Sequence, residues 1–214
     1  MPRSPDAPGR GDILSAATRE FADHGYAGAT TAGIARRAGV TQPLVHHHFG
    51  SKRGLWNAVL EKLFQDLNET LSKVVAETSS STRAIRLEKL LRAFVIFGGQ
   101  RPELGRLIRT ESSAGGDAFN ELYDHWLLPW IHFYEAELNA AIGEGVARTL
   151  DARLAYFAII GASGTAFAEP VTARRAFKLD MTRPELIERY ADLVVDLVLH
   201  GVLLPTTDSP DKAR

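Results

Sequence analysis

The sequence predicts an all-α protein with two domains, and three observations support this fold class. First, apolar residues recur every three or four positions in most segments, as on the buried face of a helix. Second, no stretch alternates apolar and polar residues over the length that a strand requires. Third, clusters of glycine, proline and serine, such as TSSST and GGQRPE, separate the periodic segments. We therefore expect a small N-terminal helical domain followed by a larger one.

The composition indicates a soluble globular protein and excludes several kinds of site. Of 214 residues, 45% are hydrophobic and 24% are charged, as in typical soluble domains. The chain has no cysteine, which excludes disulfides, thiolate metal sites and a cysteine nucleophile and agrees with a reducing compartment. The N-terminal MPRSPDAPGRGD lacks the apolar core of a signal peptide. The longest uncharged apolar run, 154–168, is shorter than the roughly 20 residues that span a bilayer. We expect a cytoplasmic protein without a membrane segment.

Three short helices are expected near the N-terminus. Apolar residues at helical spacing from Ile13 onward form the first helix, which Gly25 ends. In TTAGIARRAG, Thr30 or Thr31 is placed to cap the free amides of a second helix, and Gly39 is placed to end it. Only GVT separates this helix from a third one, QPLVHHHF.

The start of the third helix is marked by local signals, and longer helices are expected after it. The third helix has Thr41 as a plausible N-cap and Pro43 in its first turn. GSK then leads into a long helix over about 52–77, whose apolar stripe steps by four residues. The stripe consists of Leu55, Val59, Leu63, Leu67 and Leu71. Further helices are expected over 84–97, 103–112, 118–142, 151–168 and 184–203. The connections are placed at 98–103, 115–116, 143–145 and in the region after Pro170.

An uneven charge distribution suggests a polyanion as the partner of the N-terminal region. The formal net charge is −1, but residues 1–54 carry seven basic and four acidic side chains, and residues 24–60 contain no Asp or Glu. A stretch without negative charge suits nucleic acid, with a solvated basic face as the alternative. Arg36 and Arg37 are expected to act through this general field or simply to be exposed.

The second and third helices, joined by Gly-Val-Thr, have the pattern of a helix-turn-helix. Gly39 allows the positive φ that the tight turn requires. Ala35 and Ala38 are small enough for the two helices to approach closely, and Ile34 and Val45 supply a shared core. In this geometry the N-terminal side of the third helix faces the groove of DNA.

The segment FADHGYAGATTAGIARRAGVTQPLVHHHFGSKRGLWNAVL, residues 21–60, resembles the DNA-binding domain of the tetracycline-repressor (TetR) family of transcriptional regulators. The order and spacing of the matching residues are specific as a set. They are Phe21, Gly25, Tyr26, Thr30, Thr31, Ile34, Ala35, Ala38, Gly39, Val40, His47, Phe49, Lys52 and Leu55. The chain departs from the family pattern at His46, where tyrosine is usual. Ala32 and Gly33 offer no DNA-reading group, so base reading is expected to fall on the third helix.

The resemblance implies a homodimer that binds a palindromic operator in double-stranded DNA. It also implies a small-molecule effector that binds the C-terminal domain, and neither a cofactor nor a metal is expected. The chain then divides into a flexible basic arm over 1–10, a helix-turn-helix DNA-binding domain over 11–54, a helical ligand-binding and dimerisation domain over 55–204, and a disordered tail over 205–214.

The motif assigns DNA contact to polar and basic side chains on its exposed edge. Gln42 can pair with an adenine edge and Thr41 can touch a base or a phosphate, although both also fit an ordinary cap and first turn. Lys52, beside the free amides that start the long helix, is the expected phosphate anchor. Arg3 and Arg10 lie on the arm, from which a minor groove is within reach. The full candidate set is Thr30, Thr31, Thr41, Gln42, Pro43, His46, His47 and Lys52.

The three consecutive histidines are not expected to form a metal site. On a helix, neighbouring side chains point about 100° apart, so His46, His47 and His48 cannot converge on one ion. A helical metal pair needs ligands three or four residues apart. His46 and His47 are expected at the DNA backbone, and His48 is expected to pack under the motif.

A second candidate site is the aromatic segment NELYDHWLLPWIHFYEAEL. Trp126, Trp130 and Phe133 step by four and three residues along one face of the expected helix. They form either a packed core stripe or one wall of a ligand cavity, and the sequence leaves both open. The candidate ligand-binding residues are Phe97, Arg109, Trp126, Trp130, Phe133 and Phe167.

The last two expected helices suit self-association. The first of them, LAYFAIIGASGTAFA, mixes large apolar residues with Gly161 and Gly164, which permit close helix approach. The second presents a wide apolar surface over 186–204. Two such helices from each protomer form a four-helix interface, with burial inside one subunit as the alternative.

Together these expectations describe a ligand-responsive repressor without enzymatic activity, released from its operator by a small, mostly apolar or aromatic effector. One alternative is a sequence-indifferent architectural DNA-binding protein. A second is an all-α enzyme that uses the C-terminal cavity, although the chain shows no nucleophile motif, metal-ligand spacing or phosphate loop.

Overall fold

The computed structural model describes residues 9–204, and this part of the chain folds into eleven α-helices. They are α1 (Arg10–Gly28), α2 (Thr31–Ala38), α3 (Gln42–Phe49), α4 (Lys52–Glu77), α5 (Arg83–Gln100), α6 (Pro102–Ala114), α7 (Asp117–Leu122), α8 (Leu128–Gly143), α9 (Ala152–Ala168), α10 (Pro170–Phe177) and α11 (Pro184–Val202). Between residues 9 and 204 the extended pairing is limited to one isolated bridge, Ala147 with Leu203. The all-α fold class is therefore confirmed. The predictions for Arg3, most of the arm and the tail over 205–214 lie outside the described residues.

The first three helices pack on the start of α4 around a fully buried Trp56. Its ring makes edge contacts with Phe21, at 5.0 Å between centroids, and with Tyr26, at 5.4 Å. Ile34 of α2 and Val45 of α3 complete this core. The small N-terminal unit is thus fixed to α4 by aromatic burial, so its orientation follows that of α4.

Helix α4 is 26 residues long, which corresponds to about 39 Å at 1.5 Å per residue. All members of its predicted apolar stripe are buried, namely Leu55, Val59, Leu63, Leu67 and Leu71. Because this stripe belongs to the same hydrophobic cluster as residues of α1, α5 and α6, one continuous core runs from the N-terminal helices into the larger domain.

Helix α5 extends beyond its expected end at 97. Gly98 and Gly99, which were expected to break the helix, remain helical, and α5 stops at Gln100. A Cβ on Gly99 would lie 2.6 Å from Ile187 Cγ2, so the glycine serves close packing of α5 on α11 rather than a turn.

The aromatic segment expected as one helix is interrupted by a π-helical turn, Tyr123–Leu127. The amide of Leu128 donates to the carbonyl of Tyr123, five residues back. Pro129 follows, and it has no N–H to give the carbonyl of His125, while its ring would crowd that carbonyl in a regular α-helix. The wider turn relieves both problems, and such turns often mark functional sites.

The C-terminal helices form a second cluster in which α5, α9 and α11 pack through Val95, Phe167, Ile187 and Val194. Helix α10 was not expected, because Pro170 suggested a connection rather than a first helical position, and none of its residues is buried. In the described part of the chain no single helix has the length and apolarity needed to cross a membrane. Helices α9 and α10 meet these two criteria only when they are taken together, and they are bent by 72° relative to each other.

Candidate nucleic-acid interface and effector groove

The turn between α2 and α3 has the geometry that the motif predicts. Thr30 caps α2, since its hydroxyl accepts from the amide of Gly33 at 2.9 Å. Gly39 ends the helix in the left-handed region, at φ 68° and ψ 29°. A Cβ on Gly33 would lie 2.6 Å from Glu20 Oε1, so this departure from the family pattern makes room for a buried carboxylate.

The candidate DNA-contacting side chains share one exposed edge. Thr30, Thr41, Gln42, Pro43, His46 and His47 are exposed, and Thr31 is half-buried. The Gln42 amide donates to the Thr31 hydroxyl at 3.0 Å, which brings the starts of α2 and α3 together. Thr41 is the N-cap residue of α3, as predicted, but its side chain makes no capping hydrogen bond. Its hydroxyl is therefore left for another partner.

The histidine triplet does not converge. The ring nitrogen Nδ1 of His46 donates to the carbonyl of Gly50 at 3.2 Å. His48 is half-buried and lies with its ring centroid 6.3 Å from that of Phe49. Among residues 9–204, no three His, Cys, Asp or Glu side chains are grouped so that they could hold a metal ion.

Lys52 lies at the first position of α4, whose N-cap is Ser51. Its ammonium donates to the carbonyl of Ala27 at 3.2 Å and lies 4.7 Å above the Tyr26 ring. Partial burial lowers the pKa of Lys52, and the carboxylate of Glu111 opposes this shift. The side chain therefore ties the start of α4 to the end of α1, with further N–H groups available to an anion.

Two arginines near this edge have roles that the sequence did not show. Arg10 was expected in a flexible arm, but it lies in the first turn of α1 with its guanidinium 5.1 Å above the ring of Phe49. Arg53 lies over Tyr26 at 5.3 Å and forms an ion pair with Glu121 of α7 at 2.5 Å. No local pattern marks Arg53, because its partner lies far along the chain.

A groove of about 560 Å³ lies between α4 and the segment that joins α7 to α8. This volume falls within the range of small-molecule sites. The residues that line it are Phe64, Gln65, Asn68, Leu71, Ser72, Val75, Ala76, His125, Trp126, Pro129, Trp130 and Phe133. One wall is aromatic and comes from the π-helical turn and α8, and the other comes from α4.

Sequence comparisons give two family matches, one in each domain. The profile described as "Bacterial regulatory proteins, tetR family" matches residues 13–59, and the one described as "Tetracyclin repressor-like, C-terminal domain" matches residues 83–208. The chain belongs to the TetR family. The family resemblance read from the sequence is thus confirmed, and the chain is a TetR-family transcriptional regulator.

Individual relatives agree with this assignment. The "HTH-type transcriptional activator FasR" of Mycolicibacterium smegmatis is 36% identical over 88 residues, which cover 41% of this chain. The matched part spans about two fifths, 39%, of that relative's length. The ketosteroid transcriptional regulator KstR2 of Mycobacterium tuberculosis has a TM-score of 0.72 and 22% identity, over 91% of this chain and 95% of its own. FadR of Bacillus subtilis, solved in complex with stearoyl-CoA, has a TM-score of 0.62 and 17% identity, over 89% and 97%. The two structural likenesses show a shared fold.

In this TetR-family protein, three of the six residues predicted to bind a ligand line the groove together: Trp126, Trp130 and Phe133. Phe97 and Phe167 lie instead in two different hydrophobic clusters, each 5% exposed. Arg109 is an exposed residue of α6 outside the groove. Phe97, Arg109 and Phe167 thus lie outside this groove, whose polar lining comes from Gln65, Asn68 and Ser72 of α4, which no sequence pattern marked.

Charged contacts join the DNA-binding helices of this TetR-family protein to α6. Arg37 is not a free basic residue, as it forms ion pairs with Glu20 and Asp23, each at 3.1 Å. Asp23 also pairs with Arg106 of α6 at 3.3 Å. The charge of Arg37 is therefore already paired with carboxylates of α1.

Glu111 makes a second link from α6 to the DNA-binding helices. This carboxylate is only 3% exposed, and its Oε1 accepts from the backbone amide of Tyr26 at 2.6 Å. The amide is free because α1 breaks at Gly25, where φ is 67°. Glu111 thus satisfies a donor that the break would otherwise leave unpaired in a partly buried position.

Proposed function

We propose that this chain is a ligand-responsive transcriptional repressor that binds a palindromic operator as a homodimer and is released by a small, mostly apolar or aromatic effector. One observation carries the proposal: α4 lines the aromatic groove along its C-terminal half and starts at the DNA-contacting edge with Lys52. A change at the groove therefore reaches the recognition helix through one rigid element. Such a regulator would act in the cytoplasm and would not be an enzyme.

The DNA-binding role rests on the exposed edge of the motif. Gln42 and Thr41 lie at the start of α3, where a helix-turn-helix contacts base edges. Thr30, Thr31, Pro43, His46 and His47 surround them, and Lys52 lies at the adjoining end of α4. The amides at the start of α4 and the Lys52 ammonium together suit a phosphate group.

The proposed dimer rests on an apolar face that the single chain leaves exposed. Leu154 and Phe157 of α9 are 70% and 73% exposed, and Leu193 and Leu197 of α11 are 51% and 65% exposed. An apolar patch of this kind marks an interaction surface. A two-fold dimer through α9 and α11 buries it and supplies the two recognition helices that a palindrome requires.

The proposed coupling runs through the π-helical turn. This turn carries His125 and Trp126 of the groove wall. Glu121 lies two residues before the turn and pairs with Arg53 at the DNA end of α4. A ligand that moves the turn would weaken this ion pair and let α4 tilt. A coupling free energy of about 1–3 kcal/mol would lower operator affinity roughly 5- to 150-fold.

Selection of genomic DNA fragments by the purified protein, followed by competition against a scrambled duplex, tests this function. We expect a palindrome with half-sites one helical turn apart, about 34–36 Å, and operator binding that outcompetes the scrambled duplex by at least about 1000-fold. Equal affinity for both duplexes would instead support the architectural alternative. The relative from Mycolicibacterium smegmatis is named an activator, so the sign of regulation needs its own test. Expression of a reporter gene behind the recovered operator should be measured with and without the protein. Higher expression with the protein would overturn the repressor assignment.

Lys52→Ala tests the phosphate anchor within the same experiment. We expect weaker operator binding and a slope of log affinity against log salt that is smaller by about one. The matched control is Lys73→Ala, an exposed lysine on the same helix but away from the DNA-contacting edge. An unchanged slope for Lys52→Ala, or an equal change for Lys73→Ala, would contradict the role of Lys52.

A further inference from the structure

The groove wall formed by the π-helical turn and α8 presents aromatic faces in a fixed arrangement. Trp126 of this wall stacks on the buried Phe64 of α4, with centroids 5.4 Å apart and planes 21° apart, and this contact fixes the indole. Trp130 and Phe133 meet edge to face at 5.7 Å and 84°. Aromatic walls of this kind favour a flat ring system, because ring stacking adds to the burial of apolar area.

The opposite wall carries a stripe of uncharged polar groups. Gln65, Asn68 and Ser72 follow one another at three and four residues along α4, so they share one face of the helix. Their mutual contacts are weak: Ser72 donates to Asn68 at 3.4 Å, and Gln65 donates to Glu61 at 3.5 Å. Both distances lie at the outer limit of a hydrogen bond. The amides can therefore donate to and accept from a ligand.

His125 adds one further polar group at the aromatic wall. Its Nδ1 donates to the carbonyl of Glu121 at 3.2 Å, and a carbonyl can only accept. In the neutral ring, Nε2 is then left without a hydrogen and can accept from a ligand.

The groove lacks fixed charge. Among the described residues that line it, none is Asp, Glu, Lys or Arg. The nearby carboxylate of Asp66, on the same helix, is engaged by Lys62 at 2.5 Å and by Arg101 at 3.5 Å. An ionised ligand would lose water without gaining a counter-charge, which costs more free energy than burying an uncharged polar group that finds its hydrogen bonds.

We propose that the groove selects an uncharged, flat, ring-bearing small molecule with hydrogen-bonding groups along one edge, and that it rejects an anionic counterpart of the same shape. The aromatic wall takes the ring face, and Gln65, Asn68 and Ser72 take the polar edge. This inference rests on the proposed function, since it names the ligand class of the site that would regulate DNA binding.

Two naphthalene probes of nearly equal shape test the charge selectivity. N-phenyl-1-naphthylamine is neutral, and 1-anilinonaphthalene-8-sulfonate carries a sulfonate on the same framework. Binding is followed by energy transfer from tryptophan, and only the signal lost in the Trp126→Phe/Trp130→Phe variant is assigned to the groove. Trp56, buried in the N-terminal core, remains in that variant as the background.

We expect the groove to bind the neutral probe at least tenfold more tightly than the sulfonate. Asn68→Lys places a cation in the polar wall, so it should reverse this order, while Lys73→Gln, which changes an exposed charge outside the groove, should leave it unchanged. Equal affinity for the two probes, tighter sulfonate binding by the wild type, or an order that Asn68→Lys does not change would each overturn the inference.

The probe measurements contain no DNA, so the two proposals fail separately. A protein that binds its operator but neither probe contradicts the ligand class and leaves the regulatory function standing. A protein that binds the neutral probe selectively but binds no operator contradicts the regulatory function and leaves the groove assignment standing.

Discussion

Two adjacent glycines at the end of α5 should respond in opposite directions to the same substitution. A Cβ on Gly99 would meet Ile187 Cγ2 at 2.6 Å, Ile187 Cγ1 at 2.9 Å and Phe167 Cε1 at 3.0 Å. A Cβ on Gly98 would find its nearest neighbour, Phe167 Cδ2, at 3.8 Å, which is ordinary van der Waals contact. Alanine at either position removes the backbone entropy cost of a helical glycine.

The magnitudes follow from these distances. Gly98→Ala should raise the free energy of unfolding by about 0.5–1 kcal/mol. Gly99→Ala gains the same amount but overpacks the contact between α5 and α11, which costs about 1–3 kcal/mol. For a chain of this length, 1 kcal/mol shifts the melting temperature by about 2–4 °C. The two variants should therefore differ by about 2–12 °C, with Gly98→Ala above the wild type.

Thermal unfolding followed by circular dichroism measures this difference. The protein concentration must be equal for all three proteins, because association makes the melting temperature depend on concentration. If Gly99→Ala raises the melting temperature as much as Gly98→Ala does, the close approach of α5 to Ile187 is refuted. Close packing on α11 would then no longer explain why α5 has a glycine at position 99.

Three further predictions concern a buried hydrogen bond, a helix cap and the dimer. Glu111→Ala leaves the amide of Tyr26 without its acceptor, so it should lower the free energy of unfolding by about 1–3 kcal/mol. Glu111→Gln keeps an oxygen at this position and should lower the free energy of unfolding by less. Equal denaturant midpoints for the two variants would argue against this hydrogen bond. The side chain and backbone amide of Arg153 donate to Asp151 and lower its pKa to about 2. The stabilisation from this cap of α9 is then complete above the ordinary pKa of 3.8 and is lost as pH falls through about 2, and a carbon NMR titration midpoint near 4 would be inconsistent with it. Leu197→Glu should convert the proposed dimer to monomers in sedimentation. Ile85→Glu, the same change at an exposed apolar residue of α5, should leave the dimer intact. A Leu197→Glu protein that stays dimeric would place the interface elsewhere.

Local signals predicted the helix geometry of the helix-turn-helix and of α4. The cap at Thr30, the left-handed Gly39 and the apolar stripe of α4 depend on residues within one or two turns of each other. Helix caps and amphipathic periodicity act over that distance, so the sequence shows them directly. The all-α fold class and the family resemblance followed from these signals.

Contacts between distant segments were not visible in the sequence. Glu111 lies 85 residues from Tyr26, and the partner of Arg53 lies in α7. No periodic pattern links such positions, so Arg53 and Arg37 looked like ordinary basic residues. Gly33 likewise looked like a missing DNA-reading group, because its tight contact with Glu20 forms only when α1 and α2 pack.

The sequence indicated only part of the groove lining, again because contacts between distant segments leave no local pattern. Helical spacing placed Trp126, Trp130 and Phe133 on one face, but it could not show that α4 lies opposite them. Phe97 and Phe167 have the same apolar character, and only packing assigns them to the core. The π-helical turn that aims Trp126 depends on Pro129, whose effect on the preceding turn was not foreseen.

The most direct test of the proposed regulator is the operator affinity measured by fluorescence anisotropy with and without saturating N-phenyl-1-naphthylamine. If the groove and the DNA-binding edge are coupled through α4, the probe should weaken operator binding by the wild type roughly 5- to 150-fold. At the same probe concentration it should have a smaller effect on Asn68→Lys, in which the groove binds the neutral probe less tightly than the sulfonate. An operator affinity that stays the same while the groove is occupied would contradict the coupling.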